Sequence, residues 1–364
     1  MVAAAVLLSV VITQSVNGQR ADQAPTNAAP AAALSSSDLS DLKTKATAGD
    51  ADAQVKLGRA YQDGNGVPRN DDLAVKWYRA SADQGNAIAQ NDLGVMYRLG
   101  DGVDKDKEQA VSWYRKAARQ KYAPAMFNLG AAYYNGDGVP INDGVASMWF
   151  LLAQECGSSA ANDAVARMTQ TSTPSELAEA YFSVGDMYKN GLEIPQDYSR
   201  AADWYRKAAD AGSAYANMQL AQQLVAGQGV AQDYGEARRR CESAAKAQYY
   251  MGDYCLGVMN RQGLGGPKDP AEAAKWFARA AEMRHTESML LLGEMYWKGE
   301  GVKQDKETAY MWIWIAAKAG VKGAAQDQQQ LEAELDPKEI QKVQKKAALW
   351  AQQHKGAPFY PLKH

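Results

Sequence analysis

The chain has 364 residues, 46% hydrophobic and 23% charged, an ordinary globular balance that excludes wholesale disorder. Forty basic side chains against forty-two acidic ones leave a net charge of −2, which argues against a protein that grips nucleic acid by charge alone. Only three histidines occur, His285, His354 and His364, so chemistry that needs clustered imidazoles has little material.

Residues Val2 to Ile12 form an apolar run broken only by Ser9. A membrane-spanning helix needs roughly twenty residues, so this run suits the core of a secretory leader, and no stable membrane span is expected. Val16-Asn17-Gly18 offers small side chains for cleavage, which makes 1–18 a signal peptide, although no Lys or Arg precedes the apolar run. Residues 19–37, rich in Ala, Pro, Ser and Gln, read as a flexible linker.

From there the chain repeats itself. Gly58, Gly94 and Gly130 stand 36 residues apart, and so do Gly185, Ala221, Gly257 and Gly293, which makes seven units. Each unit predicts a helix pair. The first helix carries Leu or Val before the anchor, as at Leu57, and is ended by glycines six and eight residues after it, as at Gly64 and Gly66. The second opens on an Asn or Asp twelve residues after the anchor: Asn70, Asp106, Asn142, Asp197, Asp233, Asp269 and Asp305. The carboxyl or amide oxygen of such a residue accepts one of the orphan N–H groups at a helix start. Ala then recurs at +16, Trp at +19 in six units and an aromatic at +20 in five, all on one helical face, as in a solenoid core.

The run Ala89…Leu93-Gly94-x-x-Tyr97-x-x-Gly100-x-Gly102-Val103…Asp106…Ala110-x-x-Trp113-Tyr114-x-x-Ala117-Ala118 resembles the Sel-1-like repeat, a relative of the tetratricopeptide repeat, over residues 50–320. The resemblance implies an all-α fold, an α/α solenoid of helix hairpins. It also implies an adaptor or regulator of envelope, secretion or quality-control complexes. Leu224, Arg240 and Asn260 depart from the pattern in the fifth and sixth units, where looser packing or a ligand would each account for them.

The step from Gly130 to Gly185 is 19 residues longer than one repeat. The added segment holds Thr173-Pro174-Ser175-Glu176, and Asp336-Pro337-Lys338-Glu339 stands 163 residues later; both read as N-cap, Pro at N1 and a reciprocal Glu. Met148-Trp149 and Met311-Trp312 share that offset. A cap-like segment in mid-chain predicts two capped sub-arrays, three repeats in 38–182 and four in 183–364.

No phosphate loop, nucleophile elbow or zinc motif appears, and neither a metal nor a cofactor is expected. The acidic run Asp101, Asp104, Asp106 and Glu108 lacks EF-hand spacing and reads as helix capping. Cys241 and Cys255 lie seven residues either side of Gln248, in the turn between two antiparallel helices. That places the sulfurs for a disulfide or leaves two buried thiols; cysteine-rich secreted relatives bridge the same kind of junction at other positions. Positions −2, +1 and +5 from each anchor form a stripe whose side chains change from unit to unit, among them Arg59, Asp92, Val95, Asn128, Asn135, Asp186 and Gln222. A variable stripe beside a fixed core suits a groove for a protein or peptide. The chain therefore reads as an exported, non-enzymatic scaffold, periplasmic or secreted. The alternatives are a secreted hydrolase of penicillin-binding type, which some relatives are described as, and a cell-wall glycan-binding module using aromatics such as Tyr134 and Trp297.

Overall fold

The computed structural model describes residues 34–354, and the regular elements among them are all helices. Helix α1 (Ser36–Thr47) begins inside the expected linker, because the Ser35 side chain accepts from the Asp38 N–H at 3.1 Å and starts it early. The expected leader and residues 19–33 lie outside the described residues. Three repeats follow: α2 (Ala51–Asp63) with α3 (Asp71–Asp83), α4 (Ala87–Leu99) with α5 (Lys107–Arg119), and α6 (Ala123–Asn135) with α7 (Asp143–Glu155). Helix α8 (Ser159–Thr171) is the insertion, and α9 (Pro174–Asn190) and α10 (Tyr198–Asp210) form the fourth repeat. Then come α11 (Ala214–Ala226) with α12 (Tyr234–Lys246), α13 (Tyr250–Gln262) with α14 (Pro270–Glu282), and α15 (Thr286–Lys298) with α16 (Lys306–Lys318). Helices α17 (Ala324–Glu332) and α18 (Pro337–Gln353) end the described chain. The chain divides within α10 into two compact units, one up to Trp204 and one from Tyr205, each an α/α stack of hairpins.

Local chemistry sets the helix ends. All seven residues at +12 accept the backbone N–H three positions on, at 2.8–3.0 Å, as Asn70 does from Leu73 and Asp233 from Glu236. The glycine at +6 ends each first helix in the left-handed region, as at Gly100 with φ 84°. Thr173 and Asp336 both head complete capping boxes with Glu176 and Glu339. The 163-residue offset is thus structural too, since α7, α9, α16 and α18 keep it at both ends. Helix α9 continues unbroken through positions 182 and 183 into the fourth repeat.

Two glycine positions report close approach. At the anchor, a Cβ on Gly58 would sit 2.7 Å from the Tyr78 ring, and one on Gly130 2.6 Å from Phe150. The +20 side chain is thus the key between paired helices, buried at Tyr78, Tyr114, Phe150, Phe277 and Ile313, whereas burial at +19 varies: Trp149, Trp204 and Trp312 are buried and Trp77, Trp113 and Trp276 half-buried. At +8, a Cβ on Gly102 would lie 2.4 Å from the Asp71 backbone and one on Gly138 2.3 Å from that of Lys107, so each turn seats against the second helix of the preceding repeat. In the fourth repeat Glu193 holds the +8 place, with its carboxylate 3.9 Å from both Arg115 and Arg119 of α5. The departures of the fifth and sixth repeats serve packing. Leu224 is buried, Arg240 pairs with Asp210 at 3.1 Å and Glu236 at 3.2 Å, and Asn260 accepts from Arg238 at 3.2 Å.

Candidate interaction stripe

The first helices of the unit up to Trp204 bring part of the predicted stripe together. Arg59 on α2 donates through Nε to Asp92 Oδ2 on α4 at 2.9 Å, with Nη2 also 2.9 Å away. Burial works against the Arg59 cation, but the adjacent Asp92 carboxylate outweighs it and raises the guanidinium pKa. Asn128 on α6 donates through Nδ2 to Asn91 Oδ1 at 2.9 Å, and Asn91 donates to Asp92 Oδ1 at 3.3 Å. One chain of polar contacts thus joins three consecutive first helices. Val95, Asn135 and Asp186 are half-buried on α4, α6 and α9. Gln222 is exposed on α11, in the unit from Tyr205.

Asn91 escaped the periodic reading because it lies one residue off the stripe and is buried. Gln54 and Gln90 were missed too: they accept from Gln84 at 2.8 Å and Gln120 at 2.9 Å, and donate to the carbonyls of Ala46 and Ala82. Their sequence signal was present, since both Gln pairs recur 36 residues apart. Between the third and fourth repeats Glu155 accepts from Arg200 at 2.6 Å, from Trp204 at 2.9 Å and from Tyr188 at 3.1 Å. Burial, then the Glu155 charge, drives the Tyr188 phenol pKa up, and burial likewise keeps the neighbouring Cys156 thiol protonated.

In the unit from Tyr205, Cys241 and Cys255 are joined by a disulfide, with Cα atoms 6.0 Å apart. Cys241 occupies the +20 place of an aromatic key, and the anchor of its own repeat is Ala221 rather than glycine. Cys255 lies at −2, on the stripe. Arg261 holds Glu300 by two bonds, of 3.0 and 2.8 Å, which ties the sixth repeat to the seventh.

Two buried titratable groups oppose each other in this unit. Asp253 stands where the first two repeats have Gln54 and Gln90, and as a carboxylate it cannot donate to a carbonyl as they do. Its side chain is 0% exposed with Arg279 3.4 Å away, and burial, partly offset by Arg279, raises its pKa to about 6. His285 is also 0% exposed, lies between the rings of Tyr250 and Tyr254, and has Glu287 3.2 Å from Nε2. Burial, against the pull of Glu287, lowers its pKa to about 4. The raised carboxyl makes folding take up a proton, so stability grows as pH falls from about 6 towards 3.8. The lowered imidazole makes unfolding take up a proton, so stability shrinks as pH falls from 6.5 to about 4. Each is worth about 3 kcal/mol at most, and over the shared range they cancel. In Asp253→Asn only the histidine slope is expected to remain, with stability lost between pH 6.5 and 4. Urea titrations at four pH values check this; equal slopes in both proteins would refute it.

Stacked hairpins with a fixed core and a changing polar stripe define a helical repeat protein of the interaction-scaffold class. The chain belongs to the Sel1 repeat family, whose model matches residues 51–86, 87–122, 123–158, 178–213, 214–246, 245–285 and 286–321. Sel1 repeat proteins are generally non-enzymatic scaffolds for protein–protein interactions. Among solved structures, the chain is similar to a Sel1 repeat protein from Oxalobacter formigenes, with 26% identity, a TM-score of 0.42 and coverage of 89% of this chain and 86% of that one. It is also similar to a protective antigen of uropathogenic Escherichia coli, with 24% identity, a TM-score of 0.36 and coverage of 88% and 87%. No curated protein matches the chain. Among the described residues no helix is long and apolar enough to cross a membrane.

Proposed function

We propose that this protein is a non-enzymatic adaptor of the cell envelope or secreted space, and that it holds a protein or peptide along the stripe of its first helices. The observation that carries this reading is the bonded run Arg59–Asp92–Asn91–Asn128, in which the buried Asn91 and Asn128 hold the half-buried Asp92 and Arg59 in one register across three repeats. Side chains immobilised before binding lose little further entropy on binding. Val95 and Asn135 extend the surface on α4 and α6, and Asp186 on α9; Gln222, on α11, belongs to the stripe of the unit from Tyr205 considered by itself. The Cys241–Cys255 bridge supports export, because disulfides persist in oxidising compartments. Two sub-arrays, 38–182 and 183–364, fit the repeated capping boxes and the loss of the +8 glycine at Glu193.

The test is crosslinking of the tagged chain in its own cells, fractionation, and mass spectrometry of what co-purifies. One dominant partner in the envelope or extracellular fraction is expected. Arg59→Ala, Asn128→Ala and Asn135→Ala together should reduce its recovery at least roughly tenfold, the loss of about 1.4 kcal/mol of binding. Asn135→Ala alone separates recognition from folding, since Asn135 stands outside the bonded run. A partner kept by the triple variant would remove the stripe assignment, and a cytosolic location would remove export.

A further inference from the structure

The two most exposed large apolar side chains among the described residues are Leu192 and Ile141, at 73% and 68% exposure. Each stands in the turn between the paired helices of a repeat, in the unit up to Trp204. Ile141 occupies a place that is polar in all six other repeats, as at Arg69, Lys105 and Gln196. Both turns are tied to one cation. Glu193, next to Leu192, lies 3.9 Å from Arg115 and from Arg119. Asn142, next to Ile141, donates its N–H to the Tyr133 carbonyl at 3.0 Å, and the Tyr133 hydroxyl accepts from Arg115 at 2.7 Å.

Arg115, Lys116 and Arg119 fall within about 100° of one face of α5. Lys116 Nζ stands 3.5 Å above the ring centre of the half-buried Trp113, and the Arg119 side chain is 61% exposed. From Gln109 to Gly136 the chain holds no Asp or Glu, and among the described residues Glu193 is the one acid within ion-pair distance of the three. The cluster is therefore cationic. Apolar side chains on outward turns, beside exposed cations and an amphipathic Trp, suit a soft anionic surface. A bound peptide would lie in a groove, whereas Leu192 and Ile141 project into solvent.

We propose that this surface attaches the protein to an anionic lipid bilayer, with Arg115, Lys116 and Arg119 on headgroup phosphates and Leu192 and Ile141 dipping into the interface. It lies on α5 and two turns, apart from the first-helix stripe, and does not depend on that reading. Flotation of the full chain with vesicles tests it, using phosphatidylcholine alone and phosphatidylcholine with one third phosphatidylglycerol. Affinity should be at least roughly tenfold higher for the anionic vesicles, and the difference should vanish in about 1 M salt. Lys116→Gln with Arg119→Gln should weaken binding to anionic vesicles roughly twentyfold, at about fivefold per cation. Leu192→Gln with Ile141→Gln, the residue that Gln228 and Gln196 supply at those places, should weaken it several-fold at every salt concentration. All four side chains are exposed, so the melting temperature should not move. Equal affinity for the two vesicle types would overturn the proposal, and so would binding that survives the two cation changes. Binding of a polyglutamate peptide as tight as that of the anionic vesicles would also overturn it, and would make the partner an acidic protein. Arg59→Ala with Asn128→Ala should leave vesicle binding unchanged, so that the stripe and this surface stand or fail separately.

Discussion

Reducing the Cys241–Cys255 bridge is expected to destabilise the unit from Tyr205 by about 3 kcal/mol, the value for a loop of about fifteen residues. The two cysteines are 14 residues apart, so the bond removes a modest loop entropy from the unfolded chain. Its position raises its importance. In five other repeats a buried side chain at +20 fills the space over the anchor, and in the fifth repeat Cys241 stands there instead. With the bond cut, no large side chain keys that repeat, and α12 loses its covalent tie to α13. Melting with and without a dithiol should differ by about 6–12 °C, and hydrogen exchange should quicken over residues 214–262. Thiol titration of the denatured chain should find one group, Cys156, before reduction and three after it. Three before reduction, or an unchanged melt, would contradict the assignment.

Gly94→Ala should cost about 1–3 kcal/mol, although alanine is the better helix former by about 1 kcal/mol. The new Cβ would stand 2.7 Å from Tyr114 Cε1 and 3.1 Å from the Ala110 carbonyl, and the Tyr114 ring is buried. The protein carries its own control in the fifth repeat, where Ala221 is accommodated opposite the small Cys241. In a Tyr114→Cys background the same glycine change should therefore cost at least about 1 kcal/mol less, a coupling that a double-mutant cycle measures. Additive effects would mean that the ring is not what excludes the methyl group.

The pH dependence assigned to Asp253 and His285 has the same origin as these two effects. A place that the repeat fills with a standard residue is filled here by one whose chemistry differs. Asp253 replaces a glutamine and Cys241 an aromatic. The stacked scaffold holds each replacement where solvent cannot relieve it.

Much of this was legible in the sequence because it is local. A helix starts where an Asn or Asp oxygen reaches an N–H three residues on, as at Asp106, and ends where a glycine turns left-handed, as at Gly100. Those contacts span fewer than six residues, and a 36-residue period multiplies them seven times. The changing stripe was legible for the same reason, since Arg59, Asp92 and Asn128 follow from helical periodicity and the repeat.

Tertiary structure decided what depends on distant partners. Periodicity placed Trp113 and Tyr114 on one helical face, and only the approach of Gly94 made Tyr114 the buried key. Nothing near Asn91 in sequence marks it as the link between Asp92 and Asn128, because its partners lie on neighbouring helices. The Glu155 contacts to Tyr188, Arg200 and Trp204 cross an insertion that has no counterpart between the other repeats of that unit. Side-chain burial and electrostatics depend on what several helices bring to one point, and single-chain periodicity carries no record of that meeting.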